Sequence, residues 1–357
     1  MNENVEIYFK YENDGAYLEY QNFYLLGMSK FLLNKELWSN IHRVGFTPYL
    51  LNKFINLRND QIIFKKLNVQ SKKGNIDNQF CSKHDSHVGQ YLFNYNGKMI
   101  KVAIDSHDKK DIRSEEILGW SDIYFKSNMW QSINYHYKVK PIVNGNGTID
   151  YRKIRYLKRL QKNKRKKYDM VFISRIWGGI EHNIRIFEEL SKINSNKVLI
   201  AIFPKGCKKN SKTIELINRL KFANVEYTFN TFPQNKIWQY HSNSKLNITR
   251  AGKHLCISWG MIDLLCLGSC ILIDNDPYPN WPKSLKNKIN FISLGINGNV
   301  DNDSGKDYEY SKIPEIVNKI LNDPALQKSI RSNNINYFLK HCEPEMVAKY
   351  IIKTIYS

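Results

Sequence analysis

The feature that most constrains the fold is a regular alternation that begins at Tyr168. A strand-like run, YDMVFIS (168–174), leads past the glycine pair 178–179 into a helix-patterned segment, HNIRIFEELSKI (182–193). KVLIAIF (197–203), TIELINRLKF (213–222), VEYTF (225–229), NKIWQYH (235–241) and KLNIT (245–249) follow as strand, helix, strand, short helix and strand. A helix over 254–267 and the strands SCILID (269–274) and NFISL (290–294) complete the series. Strands alternating with helices of about ten residues predict a parallel sheet covered on both faces. The tail 313–355 reads as helical throughout, broken at Asp323-Pro324 and Glu343-Pro344.

The first half is α/β material of a less regular kind. VEIYF (5–9) reads as a strand, ENDG (12–15) as a turn, and the aromatic-rich run to Leu33 as a helix. VGFTPYLLNKFI (44–55) and QIIFKKLN (61–68) add further elements, and 71–89 reads as a long loop. Two strand candidates flank Asn96-Gly97, a hairpin signal, and SDIYFKSNM (121–129) holds another short strand. With 357 residues, two domains are expected: an α/β domain over 1–165 that ends in a basic linker, a second over 166–340, and a terminal helix over 341–357.

That linker concentrates the chain's charge. Lys and Arg number 54 against 33 Asp and Glu, a formal net charge of +21, so an anionic partner is expected. Part of the excess follows from a composition rich in Asn, Lys and Ile, but RKIRYLKRLQKNKRKK (152–167) gathers basic residues with no acidic one. The opening MNENVEIYFKYENDG shows neither a secretory nor a transit pattern, which points to a cytoplasmic address. The apolar window 256–273 is interrupted by Asp263, two Gly and two Ser, and fits a helix followed by a buried strand better than a membrane span. Six cysteines without a CxxC pair are expected as reduced thiols, with no zinc site.

In open parallel sheets, ligands bind outside the carboxyl ends of the strands. Three such ends in the second half join a cation to a glycine: Arg175 before Gly178 and Gly179, Lys205 before Gly206, and Arg250 before Gly252 and Lys253. Glycine lets a backbone approach a phosphate and the cation neutralises it. One such end alone could be a solvated loop; three in one domain point to a phosphate-bearing ligand. Neither GxGxxG after a strand nor GxxxxGK[ST] occurs.

The stretch ITRAGKHLCISWGMIDLLCLGSCILIDNDPYPNW (248–281) resembles the donor-binding segment of GT-B glycosyltransferases, in which a helix carries an acidic residue five positions before a glycine and a buried strand follows. Asp263 stands five before Gly268, whereas Leu255 departs from the first acidic position of the retaining members, which leaves retention or inversion open. Its Arg-x-Gly run and the strand that follows Gly268-Ser269-Cys270 are similar to exostosin-type donor domains and to related bacterial surface-glycan enzymes. The resemblance implies two Rossmann-like domains facing a cleft, the first binding the acceptor and the second a nucleotide sugar, with a C-terminal helix returning to the first. Ser258 and Asp263 would then accept hydrogen bonds from ribose or sugar hydroxyls, and Trp259 or Trp281 would stack on a ring. The nucleotide sugar is substrate, and no cofactor or metal is expected.

For the acceptor side, an inverting transfer needs one base. Asp105 and His107 at a strand end are the leading candidates and Asp14 is the next, with the loop group His84, Asp85 and His87 nearby. Each strand-end Asp can equally be a helix cap. The partners expected are a nucleotide sugar, a glycan or lipid-linked acceptor, and an anionic membrane surface met by 152–167. Two alternatives stand beside this reading. DND at 274–276, after a strand, could hold a divalent ion as in metal-dependent Asp-x-Asp enzymes, while DND at 301–303 reads as a turn. The basic run could instead bind nucleic acid, although no recognised nucleic-acid motif accompanies it.

Overall fold

The computed structural model describes residues 5–10, 18–33, 77–95, 97–146, 150–163, 165–176, 180–207, 210–252, 254–277, 279–296 and 307–357. Asp14, Lys253, Gly178, Gly179, the turn 12–15, the runs 44–55 and 61–68, and the second DND lie outside them. The chain divides into two units: Met1–Ile154 with Tyr278–Ser284 and Leu339–Ser357, and Arg155–Pro277 with Leu285–Phe338. The division therefore falls at 154/155 rather than at 165/166. Most of the basic run belongs to the second unit, because it folds as a helix, Tyr151–Gln161, that carries across the boundary.

The first unit holds a five-stranded mixed sheet in the order β1-β2-β3-β4-β5: Val5–Lys10, Val88–Tyr95, Lys98–Asp105, Ile123–Lys126 and Val139–Pro141. The expected hairpin pairs β2 with β3, Tyr95 opposite Lys98, with Gly97 at φ 83° in its turn. β3, β4 and β5 run parallel, so their carboxyl ends, after Asp105, Lys126 and Pro141, form one edge. Helix α1 (Leu18–Leu33) packs on the terminal helix of the chain (Pro344–Tyr356). A Cβ on Gly27 would fall 1.9 Å from the Pro344 carbonyl oxygen, so only glycine permits the approach. The chain's last helix thus returns to the first unit, as the resemblance implies, and it starts at Pro344 after a π-turn over Phe338–Cys342.

The second unit is the parallel sheet that the alternation predicts. Its strands are β6 (Tyr168–Arg175), β7 (Lys197–Ile202), β8 (Glu226–Thr228), β9 (Ser244–Thr249), β10 (Ile271–Ile273) and β11 (Ile292–Ser293). Every pairing is parallel and the order is β8-β7-β6-β9-β10-β11. In order of appearance this is 3-2-1-4-5-6, the doubly wound Rossmann order, and it reverses direction between β6 and β9. The strands read as continuous apolar runs because both faces are covered. On one side Ile184, Phe187 and Leu190 of the helix Ile180–Ser191 are fully buried, with Phe187 against Phe172 of β6 at 4.5 Å between ring centroids.

The helix expected over 254–267 is shorter, Gly260–Cys266. Residues 250–252 and 254–259 are not helical, since Gly252 N–H donates to the Cys256 carbonyl and Leu255 takes φ 53°, which no helix accommodates. Gly268 ends this helix at φ 59°, with Ser269 N–H donating to the Leu264 carbonyl and Gly268 N–H to that of Leu265. The acidic-to-glycine spacing noted above is therefore one helix and its left-handed stop. No helix among the described residues is long and apolar enough to cross a membrane.

Candidate functional site

The reversal between β6 and β9 opens a crevice at the carboxyl ends of neighbouring strands, where doubly wound sheets hold their ligands. β6 ends in Arg175, β9 runs directly into Arg250, and β10 into Asp274. Asp274 anchors this edge. Its Oδ1 accepts from Ala251 N–H at 2.7 Å and from Asn275 N–H at 2.9 Å. Its Oδ2 lies 2.8 Å from His182 Nε2 and 3.7 Å from Arg250 Nε. The second distance is an ion pair beyond hydrogen-bond range. His182, in the first turn of the helix after β6, sets its Nδ1 2.5 Å from the Tyr310 hydroxyl. Asp274, His182 and Tyr310 are each 1% exposed, whereas the Arg250 side chain retains 12%. Surrounded by these donors, the buried carboxylate holds a cation at the edge of the crevice.

Arg175 and Lys205 are exposed at the neighbouring strand ends, Arg175 closing β6 and Lys205 in the short turn after β7. Three of the expected cations thus sit at one edge of one sheet. Gly252 has a local reason: a Cβ there would meet Cys256 Sγ at 2.0 Å, so the tight loop behind Arg250 requires glycine. Ser258 and Trp259 are half-buried in the same loop. Asp263 turns inward, its Oδ2 accepting from Trp238 Nε1 at 2.7 Å and Gln234 Nε2 at 3.1 Å. That carboxylate ties the helix Gly260–Cys266 to the helix Gln234–Ser242. Trp281 is 1% exposed and is a packing residue of the first unit rather than a ring platform.

At the carboxyl edge of the first unit's sheet, Asp105 is fully buried. Its Oδ1 accepts from His107 N–H at 2.8 Å, and its Oδ2 from the Tyr124 hydroxyl at 2.9 Å and Lys126 Nζ at 3.0 Å. Lys126 is equally buried, so this is an enclosed ion pair that clasps the ends of β3 and β4. Burial, and then the Asp105 carboxylate, push the Tyr124 phenol far above its ordinary pKa, which keeps it a donor. His107 is half-buried and meets His87 edge-to-face at 4.5 Å between ring centroids. Burial first, then the charges of His87, Arg113 and Lys126, lower its pKa to about 3, so the imidazole is neutral at ordinary pH. Asp85 caps His87 N–H at 2.9 Å and pairs with Arg113 Nε at 2.9 Å. Burial opposes its ionisation, but His87 and Arg113 outweigh that and hold its carboxyl below the usual range.

In the second unit's part of the basic run, Arg155, Arg159, Lys162, Arg165 and Lys167 are exposed. Lys166 is half-buried and donates to the Ser242 carbonyl at 2.6 Å, and Gln161 donates to that of Cys266 at 3.0 Å. The segment is thus a docked helix and turn rather than a loose linker. Lys126, His182, Asp274 as an anchor and Tyr310 were not singled out as site residues from the sequence. Only Asp274 had left a signal there, as part of a run weighed for metal binding.

No protein-family model matches the chain, and no curated protein matches it in sequence. Solved structures similar to it include Anabaena Alr3699/HepE in complex with UDP and glucose, at TM-score 0.45 and 12% identity over 66% of this chain and 63% of that one. A glycosyltransferase from Rickettsia africae ESF-5 is similar at TM-score 0.43 and 10% identity, over 68% and 64%. The pneumococcal O-GlcNAc transferase GtfA in complex with UDP and GlcNAc is similar at TM-score 0.42 and 14% identity, over 67% and 46%. The chain thus spans less than two thirds of the length of each of these three structures.

Proposed function

We propose that this protein is a glycosyltransferase that takes its sugar from a nucleotide-sugar donor, binding the donor diphosphate at the carboxyl edge of the second unit's sheet. The observation that carries the reading is Arg250, placed beside the 3-2-1-4-5-6 reversal and held there by Asp274. A diphosphate brings two negative charges; Arg250, Arg175, Lys205 and Lys253 are the cations that meet it, with Gly252 shaping the loop behind. As the sugar leaves, charge develops on the diphosphate, and cations fixed in advance stabilise it without reorganisation. Ser258 and Trp259 face the ribose or sugar in this reading. Asp263 acts through the helix it ties down.

No metal is assigned. The first carboxylate of the Asp-x-Asp run is committed to two backbone N–H groups, His182 and Arg250, a donor set that fits cation positioning rather than metal ligation. On the acceptor side, His107 is the group we assign to the acceptor hydroxyl; its imidazole is uncharged and can accept a hydrogen bond, although its lowered pKa makes it a weak base. Asp105 shapes that edge through Lys126, and Asp14 stays a second candidate. The acceptor is a glycan or a lipid-linked sugar. The exposed cations of 155–167 support contact with an anionic membrane at its cytoplasmic face, in keeping with a role in polysaccharide assembly.

Thermal unfolding with UDP, GDP, CDP and ADP tests the donor site. One of them at a hundredfold excess over its Kd stabilises the fold by about 2.7 kcal/mol, and Arg250→Ala removes the shift. A protein whose melting none of the four moves has no such site. Incubation with a set of nucleotide sugars then identifies the donor by which one is hydrolysed.

A further inference from the structure

Behind Arg250 lies a chain of buried side chains that phosphate binding alone does not require. Asp274 faces the cation on one side and His182 on the other, and His182 continues to Tyr310. The groups set around the imidazole include Asp274 from the end of β10, Arg250 after β9 beyond it, Tyr310 from the helix Asp307–Ser311, and Arg185 on the imidazole's own helix. The Arg185 guanidinium lies over the Tyr310 ring, 4.1 Å from its centroid, and pairs with Asp307.

The hydrogen-bond directions follow from this arrangement. With His182 neutral, Nε2–H donates to Asp274 and Nδ1 accepts the Tyr310 hydroxyl proton. In that state the negative charge of Asp274 is balanced by Arg250. A second cation on His182 would leave the buried group with net positive charge, which burial penalises. A diphosphate bound at the crevice would change the balance: it would add negative charge there and compete with the carboxylate, 3.7 Å away, for the guanidinium. Asp274 is then left facing the imidazole.

We propose that His182 and Asp274 are positioning residues for Arg250, and that His182 takes up a proton from solvent when the diphosphate of a nucleotide sugar binds. The proposal rests on the donor reading above. Its sign is fixed: the bound state holds the proton more tightly than the free state, so affinity rises as pH falls through the window between the two titrations.

Isothermal titration of the full chain with UDP-glucose, UDP-N-acetylglucosamine and GDP-mannose tests it, because their diphosphates carry no proton that titrates near neutrality. Across roughly pH 5.5 to 8.5 the Kd weakens with rising pH by up to about tenfold per unit. Paired buffers of different ionisation enthalpy report uptake approaching one proton per donor bound. His182→Gln flattens the pH dependence, and Asp274→Asn weakens binding and abolishes the uptake. Donor binding by the unaltered chain with no proton uptake, or a slope in His182→Gln equal to that of the unaltered chain, overturns the relay while the donor site stands. The two-buffer measurement needs no variant, so a poorly folding substitution does not shield the proposal. Where the melting screen selects another base, the sugar of that base is titrated in the same way; if none of UDP, GDP, CDP and ADP shifts the melting and none of the three sugars binds, the donor reading fails and the relay falls with it.

Discussion

Lys126→Met is the sharpest test of how the first unit is built. Lys126 and Asp105 are both fully buried, with Nζ 3.0 Å from Oδ2. Methionine keeps most of the methylene stem in place and removes the cation. Asp105 then keeps its bonds from Tyr124 and from His107 N–H, but its charge is enclosed without a counter-ion. Breaking a buried pair in this way costs about 3–5 kcal/mol, and for a unit of this size that corresponds to a fall in Tm of roughly 6–20 °C. Thermal and urea unfolding followed by circular dichroism measure it. Adding Asp105→Asn recovers most of the loss, since the amide carries no charge, its oxygen still accepts from His107 N–H, and its NH2 donates to the Tyr124 hydroxyl oxygen in place of the bond that Oδ2 accepted. A loss below about 1 kcal/mol, or a double variant worse than the sum of the singles, would refute the claim that this pair clasps β3 to β4.

Two further tests concern packing and titration. Gly27→Ala raises helix propensity by about 1 kcal/mol, yet its Cβ would stand 1.9 Å from the Pro344 carbonyl oxygen, and since both sides are backbone the clash wins; a thermal melt shows a net loss of about 1–3 kcal/mol, and a neutral or stabilised variant contradicts the close approach. His241, whose Nδ1 lies 2.7 Å from Asn247 Oδ1, has its pKa lowered to about 4 by burial. The unfolded chain binds that proton first, so stability is full above about pH 6.5 and declines as pH falls towards 4, by at most about 1.4 kcal/mol per unit; unfolding measured against pH loses this part of its slope in His241→Gln, and an unchanged slope assigns it elsewhere.

The second unit was legible because its cause is local. Apolar runs such as VLIAI and CILI, separated by helix-period segments, have no stable arrangement but a parallel sheet covered on both faces, and the chain folds that way from Tyr168 to Ser293. Errors appeared where tertiary packing sets the limits of an element. The helix expected from 254 begins at Gly260 because the Gly252–Cys256 turn consumes the intervening residues. The boundary moved to Ile154 because a run rich in Lys and Arg, which reads as a solvated linker, places Lys166 and Gln161 on carbonyls of the second unit. The strand order, which fixes the position of the crevice, is not written in any single segment.

The site separates along the same line. Arg175, Lys205 and Arg250 could be picked out because the residue at a strand's end is adjacent in sequence to the strand, and topology then gathers such residues at one edge. What holds them is not adjacent. His182 reaches Asp274 across 92 positions and Tyr310 across 128, and a histidine inside an amphipathic helix carries no mark of that role. Asp105 shows the converse. Its place at a strand end suggested a base, but the Lys126 that encloses it pairs across parallel strands, where β4 register sets it beside Asp105. A cation two residues beyond Tyr124 reads as a strand leaving the core, and only the closure of the sheet's edge turns it inward. Position along one strand predicts which residues can reach a ligand; the register between strands decides which of them remain available to it.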